Sequence, residues 1–265
     1  MNRNEFFQSM TDFASTYGDA VMAEMAKANC KYNGLYLKRE GINSSPVVNL
    51  DYAYEMYRDD KWTLDDCYNY IDGVFATEMP NIDIDDILNW DSAKQYLCTH
   101  LYGNVNEGVV SRKVEDMYLV PYLRLTDDGT MGTKVTTELM QLWGVSEDEV
   151  FLTASENQES ICPLEINCLF SNADASMYIV TNSDHHRGAS AMFYSGAFEK
   201  IRAVIGGDFY ILPSSIDEVI VLPKDDDFDV SDLSMMVSAS LAEEDRLTNS
   251  VYTYDFDNQQ FKKVA

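Results

Sequence analysis

The chain has 265 residues, 46% of them apolar, with 17 tyrosines and 12 phenylalanines, enough to close a sizeable core in one large domain or two small ones. Forty-five acidic residues against 19 lysines and arginines give a formal charge of -26, which repels nucleic acid and anionic membrane surfaces and argues against direct DNA or RNA binding. No run of 18 apolar residues occurs and the first ten residues lack a basic and apolar leader pattern, so a cytoplasmic protein without a membrane span is expected.

Phe6, Met10, Phe13, Tyr17, Val21 and Met25 recur at three- and four-residue steps and predict one long amphipathic helix over 4–29, ended by Asn33 and Gly34. A strand from Leu35 to Lys38, a turn over 41–46 and a strand from Val47 to Leu50 read as a hairpin with a long loop. A short aromatic helix is expected over 51–57. Thr63-Leu64-Asp65-Asp66 is a capping arrangement for a second helix, whose stripe is Leu64, Cys67, Tyr68, Ile71, Val74 and Phe75, closed by Pro80. Residues 84–102 read as one or two further helices broken near Asp91, and 103–108 as the loop that separates two subdomains, 1–105 and 106–265.

In the second half, Met117 to Leu125 is a strand that Pro121 demotes toward an edge or a bulge. Thr136 to Trp143 is a helix stopped by Gly144, and Ser146-Glu147-Asp148-Glu149 is a full capping box opening another. Residues 155–172 carry little pattern. From Ser176 to Pro223 the order is strand, polar loop, strand (189–194), helix capped by Ser195 and stopped by Gly206-Gly207, then two strands joined through Pro213. A helix over 231–245 and a last hairpin around Asp257-Asn258 complete the chain. The fold class is α+β: a helical, more acidic first half with a small hairpin, and a second half built on a mixed β-sheet with a β-β-α-β-β core and packed helices.

Several phrases then carry a resemblance: "GLYLKREGINSSPVVNLDYAYEMY" from Gly34, "LMQLWGVSEDEVFLTASEN" from Leu139, "MYIVTN", "GASAMFYSGAFEKI" and "GGDFYILPSSIDEVIVLP" from Met177 onward, and "SVYTYD" from Ser250. In this order they resemble, over essentially the whole chain, a domain-of-unknown-function family of anaerobic gut bacteria often carried on integrative and conjugative elements. The resemblance implies an intracellular accessory protein of mobile-element origin, with no catalytic residue and no cofactor to carry over.

The candidate sites separate into three kinds. Between Asp51 and Asp91 twelve acids face only Arg58 and Lys61. Helix caps and first turns absorb one or two acids per helix, and the remainder repel one another inside a Debye length of about 8 Å. Asp51, Glu55, Asp59, Asp60, Asp65, Asp66, Asp72, Asp83, Asp85 and Asp86 are therefore the candidate partner-binding surface. Such a surface suits a basic protein, foremost a nucleic-acid-binding one whose groove normally holds phosphates. Tyr52, Tyr54, Tyr57, Tyr68 and Tyr70 crowd the same segment, either as core or as partners for an Arg-rich surface. Asp184-His185-His186-Arg187 holds two of the three histidines, but adjacent histidines on a turn diverge and match no metal spacing, so a solvated turn is the simpler reading and no metal is expected. Cys162, before Pro163, could be a nucleophile with His185 or His186 as base, against the ordinary role of a small apolar cysteine. The five cysteines are odd in number and scattered, which fits free thiols. The leading expectation is an acidic interaction protein, a nucleic-acid mimic that inhibits a host nuclease or CRISPR-type effector. The alternatives are a hydrolase or metal enzyme built on the Asp184 loop, and a structural or regulatory subunit whose acidity serves solubility.

Overall fold

The first helix, α1 (Arg3–Ala14), opens on a reciprocal cap. Asn2 Oδ1 accepts from the Glu5 N–H and the Glu5 carboxylate accepts from the Asn2 N–H, each at 3.0 Å. It ends at Ala14, not near 29. The Ser15 and Thr16 hydroxyls turn back onto the Thr11 and Phe13 carbonyls, and the chain resumes as strand β1 (Asp19–Lys27). The computed structural model describes residues 1–27, 30–38, 44–77, 82–171, 176–213, 215–224, 230, 232–233, 235 and 247–264. Pro80, residues 41–43 of the turn expected over 41–46 and most of the helix expected over 231–245 lie outside them.

Two compact units follow from the chain's contacts, Met1–Asp83 and Ile84–Ala265. The division falls between Asp83 and Ile84. The loop over 103–108, taken from sequence as the boundary, lies within the second unit.

In the first unit β1 pairs antiparallel with β2 (Cys30–Lys38), and β2 with β3 (Val47–Asn49). Helices α2 (Leu50–Arg58) and α3 (Leu64–Phe75) complete it. Residues 21–25 alternate between half-buried and exposed, the two-residue period of a strand. Gly34 does not stop a helix. It lies in β2 under Met25, where a Cβ would come within 2.5 Å of the Met25 Cγ and 2.7 Å of a Val47 methyl. Phe6, Met10, Leu35, Val48, Leu50, Cys67 and Ile71 form the core, each fully buried.

The second unit opens with two short helices, α4 (Ile84–Leu88) and α5 (Trp90–Ala93), and then strand β4 (Leu97–Tyr102), where further helix was expected. Residues 97–101 are all buried, and a run covered on both faces carries no alternation to distinguish strand from buried helix. Its sheet contains β5 (Arg112–Val114), β6 (Met117–Arg124) and β7 (Gly132–Lys134), with β6 central. Pro121 sits in this central strand, not on an edge. Its carbonyl accepts from the Val135 N–H at 2.9 Å, so its missing N–H faces the interval between β5 and β7, where no ladder bond is lost. Helices α6 (Thr137–Trp143) and α7 (Glu147–Ile161) start on Thr136 and Ser146 caps, and Gly144 closes α6 at φ 71°.

The second sheet has six strands in the order β13-β12-β10-β11-β9-β8. They are β8 (Leu164–Ser171), β9 (Ser176–Asn182), β10 (Phe209–Leu212), β11 (Val219–Pro223), β12 (Tyr252–Asp255) and β13 (Gln260–Lys263). Residues 155–172, unpatterned in sequence, supply the end of α7 and the strand β8. Gly188–Phe193 is a 3-10 helix, not the expected strand, and it leads into α8 (Ala197–Ile205). The α8 N-cap is Gly196 at φ 68°, not Ser195, while Gly206 ends the helix at φ 88° as expected. Among the described residues every strand pair is antiparallel, so the sheet expected to be mixed contains no parallel pair there. The fold class is α+β.

Candidate functional site

The acidic segment of the first unit is built on α2, the turn after it and α3. Thr63 and Asp66 form the α3 capping box: the Thr63 N–H and hydroxyl donate to the Asp66 carboxylate at 2.8 and 2.7 Å, and the Asp66 N–H donates to Thr63 Oγ1 at 3.2 Å. These bonds hold the Asp66 carboxyl below its ordinary pKa, the Thr63 hydroxyl contributing most. Asp51 is committed inward. Its carboxylate accepts from the Asn33 N–H at 2.8 Å and pairs with Arg3, fastening α1, β2 and α2. Burial opposes its charge, yet the Arg3 and Asn33 donors outweigh that and hold its pKa down. Asp72 accepts from the Tyr17 hydroxyl.

The other acids of this unit's helices face solvent. Glu55, Asp59, Asp60 and Asp65 are exposed. Asp59 pairs with Arg58 at 2.9 Å and lies 4.0 Å from Lys61, whereas Glu55, Asp60 and Asp65 make no ion pair among the described residues. The same segment holds an aromatic cluster. Tyr52, 44% exposed, meets Trp62 edge-on at 5.4 Å, and Trp62 lies 5.3 Å from Tyr70. Glu55 lies three residues after Tyr52 on α2 and the α2 C-cap Asp59 seven after it, while on α3 Asp66 lies four residues before Tyr70. The aromatic rings and these acids thus share helix faces. Tyr54, Tyr57 and Tyr68 pack instead against Phe6, Phe7 and Phe13. Asp83 ends the first unit, while Asp85 and Asp86 are exposed on α4 of the second. The ten nominated acids therefore divide between structural bonds, the α2–α3 face and another unit.

The second unit contains a buried polar cluster. Cys98 on β4 and Cys162, just past α7, are 1% and 2% exposed and share a core with Tyr122, Ala191 and Tyr194. Cys162 Sγ lies 3.2 Å from the Tyr194 hydroxyl, and Cys98 Sγ lies 3.7 Å from both His100 Nε2 and the Tyr122 carbonyl. The Cys98 thiol, with the Tyr194 hydroxyl and the Arg124 charge behind it, pulls the Cys162 pKa below the ordinary thiol value against its burial. Its partnership with Cys162, reinforced by burial, pushes Cys98 far up. Cys67 in the other unit supplies the contrast, pushed up to about 11 by burial. His100 stacks on Tyr122 at 4.1 Å and is kept neutral, first by burial and then by the Arg187 charge. Its Nδ1 and the Oδ1 of Asn182 are buried with no hydrogen-bond partner among the described residues.

Beside this cluster Arg124 donates to Asp184 at 2.5 Å, with side chains 4% and 17% exposed. That pair occupies Asp184 and leaves its histidine neighbours apart. The His185 side chain is 65% exposed and 3.6 Å from Glu165, while His186 lies 3.9 Å from Asp217. Among the described residues no three His, Cys, Asp or Glu side chains gather to hold a metal ion. Cys162, weighed from sequence as an exposed nucleophile beside His185 or His186, is buried, and the histidine that lies on a thiol in this core is His100, on Cys98. Sequence reasoning passed over Cys98, His100, Arg124 and Tyr194. The available signal was Cys98 and His100 two residues apart on what proves to be one strand, which places them on the same face.

A model described as a family of unknown function, DUF5688, matches residues 4–172 and 169–256. No curated protein and no solved structure matches the chain.

Proposed function

Because the chain belongs to DUF5688, a family of unknown function whose description prescribes no chemistry, we propose from the geometry that it is an acidic interaction protein whose α2–α3 face binds a basic protein surface. One observation carries this reading: Tyr52, Trp62 and Tyr70 are held together at that face, with Tyr52 open to solvent, and helix spacing sets Glu55 one turn from Tyr52 and Asp66 one turn from Tyr70. Aromatic rings beside unneutralised acids are the complement of arginine. A guanidinium can lie on a ring, for about 0.5–1 kcal/mol at an exposed site, while its charge meets a carboxylate. Tryptophan, tyrosine and arginine also dominate the energetics of protein interfaces.

The net charge of -26 extends the same preference to the approach of a partner, since a field of one sign accelerates encounter with the other. A partner whose basic groove normally takes a nucleic-acid backbone fits this chemistry. With the mobile-element setting that the sequence resemblance implies, the sharper form of the proposal is a mimic that occupies the groove of a host nuclease or CRISPR-type effector.

The test is binding of the purified chain to a panel of such effectors in low and high salt. Glu55, Asp59, Asp60 and Asp65 are neutralised together to Gln or Asn, and Trp62→Ala is a separate variant. Asp66 is left intact because it closes the α3 cap. Binding that weakens with salt and with both variants is expected. Binding indifferent to salt and to the neutralised face would overturn the proposal.

A further inference from the structure

We propose that Lys134 and Arg187, gathered on the ring of Tyr102, form a site for a phosphate dianion, either the free ion or the phosphate of a small monoester. The Lys134 Nζ lies 4.0 Å from the centre of that ring and the Arg187 Cζ 5.2 Å from it. All three residues belong to the second unit and are half-buried, so solvent reaches them.

Strand register builds the floor of the site. Cys98, His100 and Tyr102 alternate along β4 and share one face. Cys98 stands opposite Tyr122 on β6, and Tyr122 opposite Lys134 on β7, so this face carries Lys134 as well. Gly132 leaves room for the Tyr122 ring, since a Cβ there would come within 2.3 Å of Tyr122 Cε1. His100 stacks on Tyr122 at 4.1 Å, with its ring 6.5 Å from that of Tyr102. Arg187 arrives from the segment between β9 and the 3-10 helix. Its backbone is fixed: the N–H donates to Asp217 Oδ1 at 2.7 Å, and φ is 50°, with His185 two residues earlier at 51°. Two side-chain-bearing residues held in the left-handed region within three positions point to function.

The charges are what call for a ligand. Among the described residues neither Lys134 nor Arg187 makes an ion pair, although the chain has 45 acids. The carboxylates near this loop are engaged elsewhere, Asp184 with the Arg124 guanidinium and Asp217 with the Arg187 backbone. Burial, and then the charge of Arg187, lowers the Lys134 pKa. His100, 4% exposed and with its Nδ1 unpartnered among the described residues, feels the positive charges of Arg187, His186, Arg124 and Lys134. The net charge of -26 opposes anions from afar, but salt screens it beyond about 8 Å and local charges decide. A phosphate monoester carries about -1.5 to -2 at neutral pH and offsets both cations, whereas a carboxylate leaves one uncompensated. The arginine fork takes two phosphate oxygens and the lysine acts as a point charge.

The experiment titrates the full chain by calorimetry at constant ionic strength with inorganic phosphate, glycerol 3-phosphate and acetate. Saturable binding of a phosphate species and none of acetate is expected. Binding of inorganic phosphate assigns the site to the free ion, and binding of glycerol 3-phosphate alone assigns it to an ester. Lys134→Met and Arg187→Gln should each weaken binding at least about tenfold. Thermal unfolding separates a ligand site from a packing role: in phosphate-free buffer Lys134→Met, which keeps an apolar stem on Tyr102 and removes a repelled charge, should melt no lower than the parent. Phosphate should then raise the parent's melting temperature and not the variant's. The proposal is overturned by absence of saturable binding up to about 10 mM of either phosphate species, by equal binding of acetate, or by affinity unchanged in both variants. A phosphate-free melting temperature of Lys134→Met well below the parent's would likewise overturn it. The parent titration decides by itself if a variant fails to fold.

Discussion

Replacement of Asp184 by Ala strands a buried charge, and its cost follows from the placement of Arg124. The guanidinium is 4% exposed, bonded to Asp184 at 2.5 Å on one side and to the Asp127 carbonyl on the other. Gly129, at φ 69°, lies against it so closely that a Cβ there would be 3.0 Å from Cζ. Burial disfavours the Arg124 charge and Asp184 more than restores it. Loss of the carboxylate removes that compensation where water has little access, which costs about 3–5 kcal/mol. Arg124→Met leaves Asp184 behind, but that side chain is 17% exposed and can rehydrate, so the expected loss is nearer 1–3 kcal/mol. The double variant, with neither charge, should be more stable than Asp184→Ala alone. Urea unfolding followed by tryptophan fluorescence in a Trp62→Phe background reports this unit, since the other tryptophans, Trp90 and Trp143, both lie in it. A coupling energy near zero in the double-mutant cycle, or a loss below about 1 kcal/mol for Asp184→Ala, would refute the argument.

Acid should expose a second dependence. The Thr126 hydroxyl first, then the Thr130 N–H and hydroxyl, hold the Asp128 carboxyl at about 2, below the ordinary value near 3.9. A depressed folded-state pKa contributes stability that is complete above the unfolded value and disappears as pH falls through the folded one. The gap in urea midpoint between parent and Asp128→Asn should therefore narrow between about pH 4 and pH 2, and a gap independent of pH would contradict the assignment. Gly188→Ala is expected to destabilise the second unit by about 1–3 kcal/mol, because its Cβ would stand 2.2 Å from Thr181 Oγ1, 2.6 Å from the Asn182 nitrogen and 2.7 Å from the Asp217 oxygen. Thermal unfolding indistinguishable from the parent would show that the 3-10 segment has room to move.

Helix ends were legible in the sequence because a cap is decided within four residues. Thr63, Thr136 and Ser146 each reach the N–H three residues on, and Gly144 and Gly206 take the left-handed conformation that side chains resist. The terminal hairpin was legible for the same reason: Asp255 accepts from the Asp257 and Asn258 N–H groups and fixes the turn locally. Ser195 shows the limit, since the glycine beside it took the cap.

Long-range pairing was not legible. Val21 and Met25 continue the α1 stripe in sequence, and alanine, methionine and glutamate favour helix by only tenths of a kcal/mol per residue. Nine residue pairs with β2 decide that segment instead. The acidic segment could be located from composition alone, yet only the packed structure separates Asp51, Asp66 and Asp72, held by internal donors, from Glu55, Asp60 and Asp65 at the surface. Cys162 attracted notice beside Pro163, but its hydrogen-bond partner Tyr194 arrives from the end of the 3-10 segment and Cys98, in the same core, from β4. Sequence fixes what a residue can do within a turn of its own backbone; which distant group it meets depends on how sheets and helices bury one another.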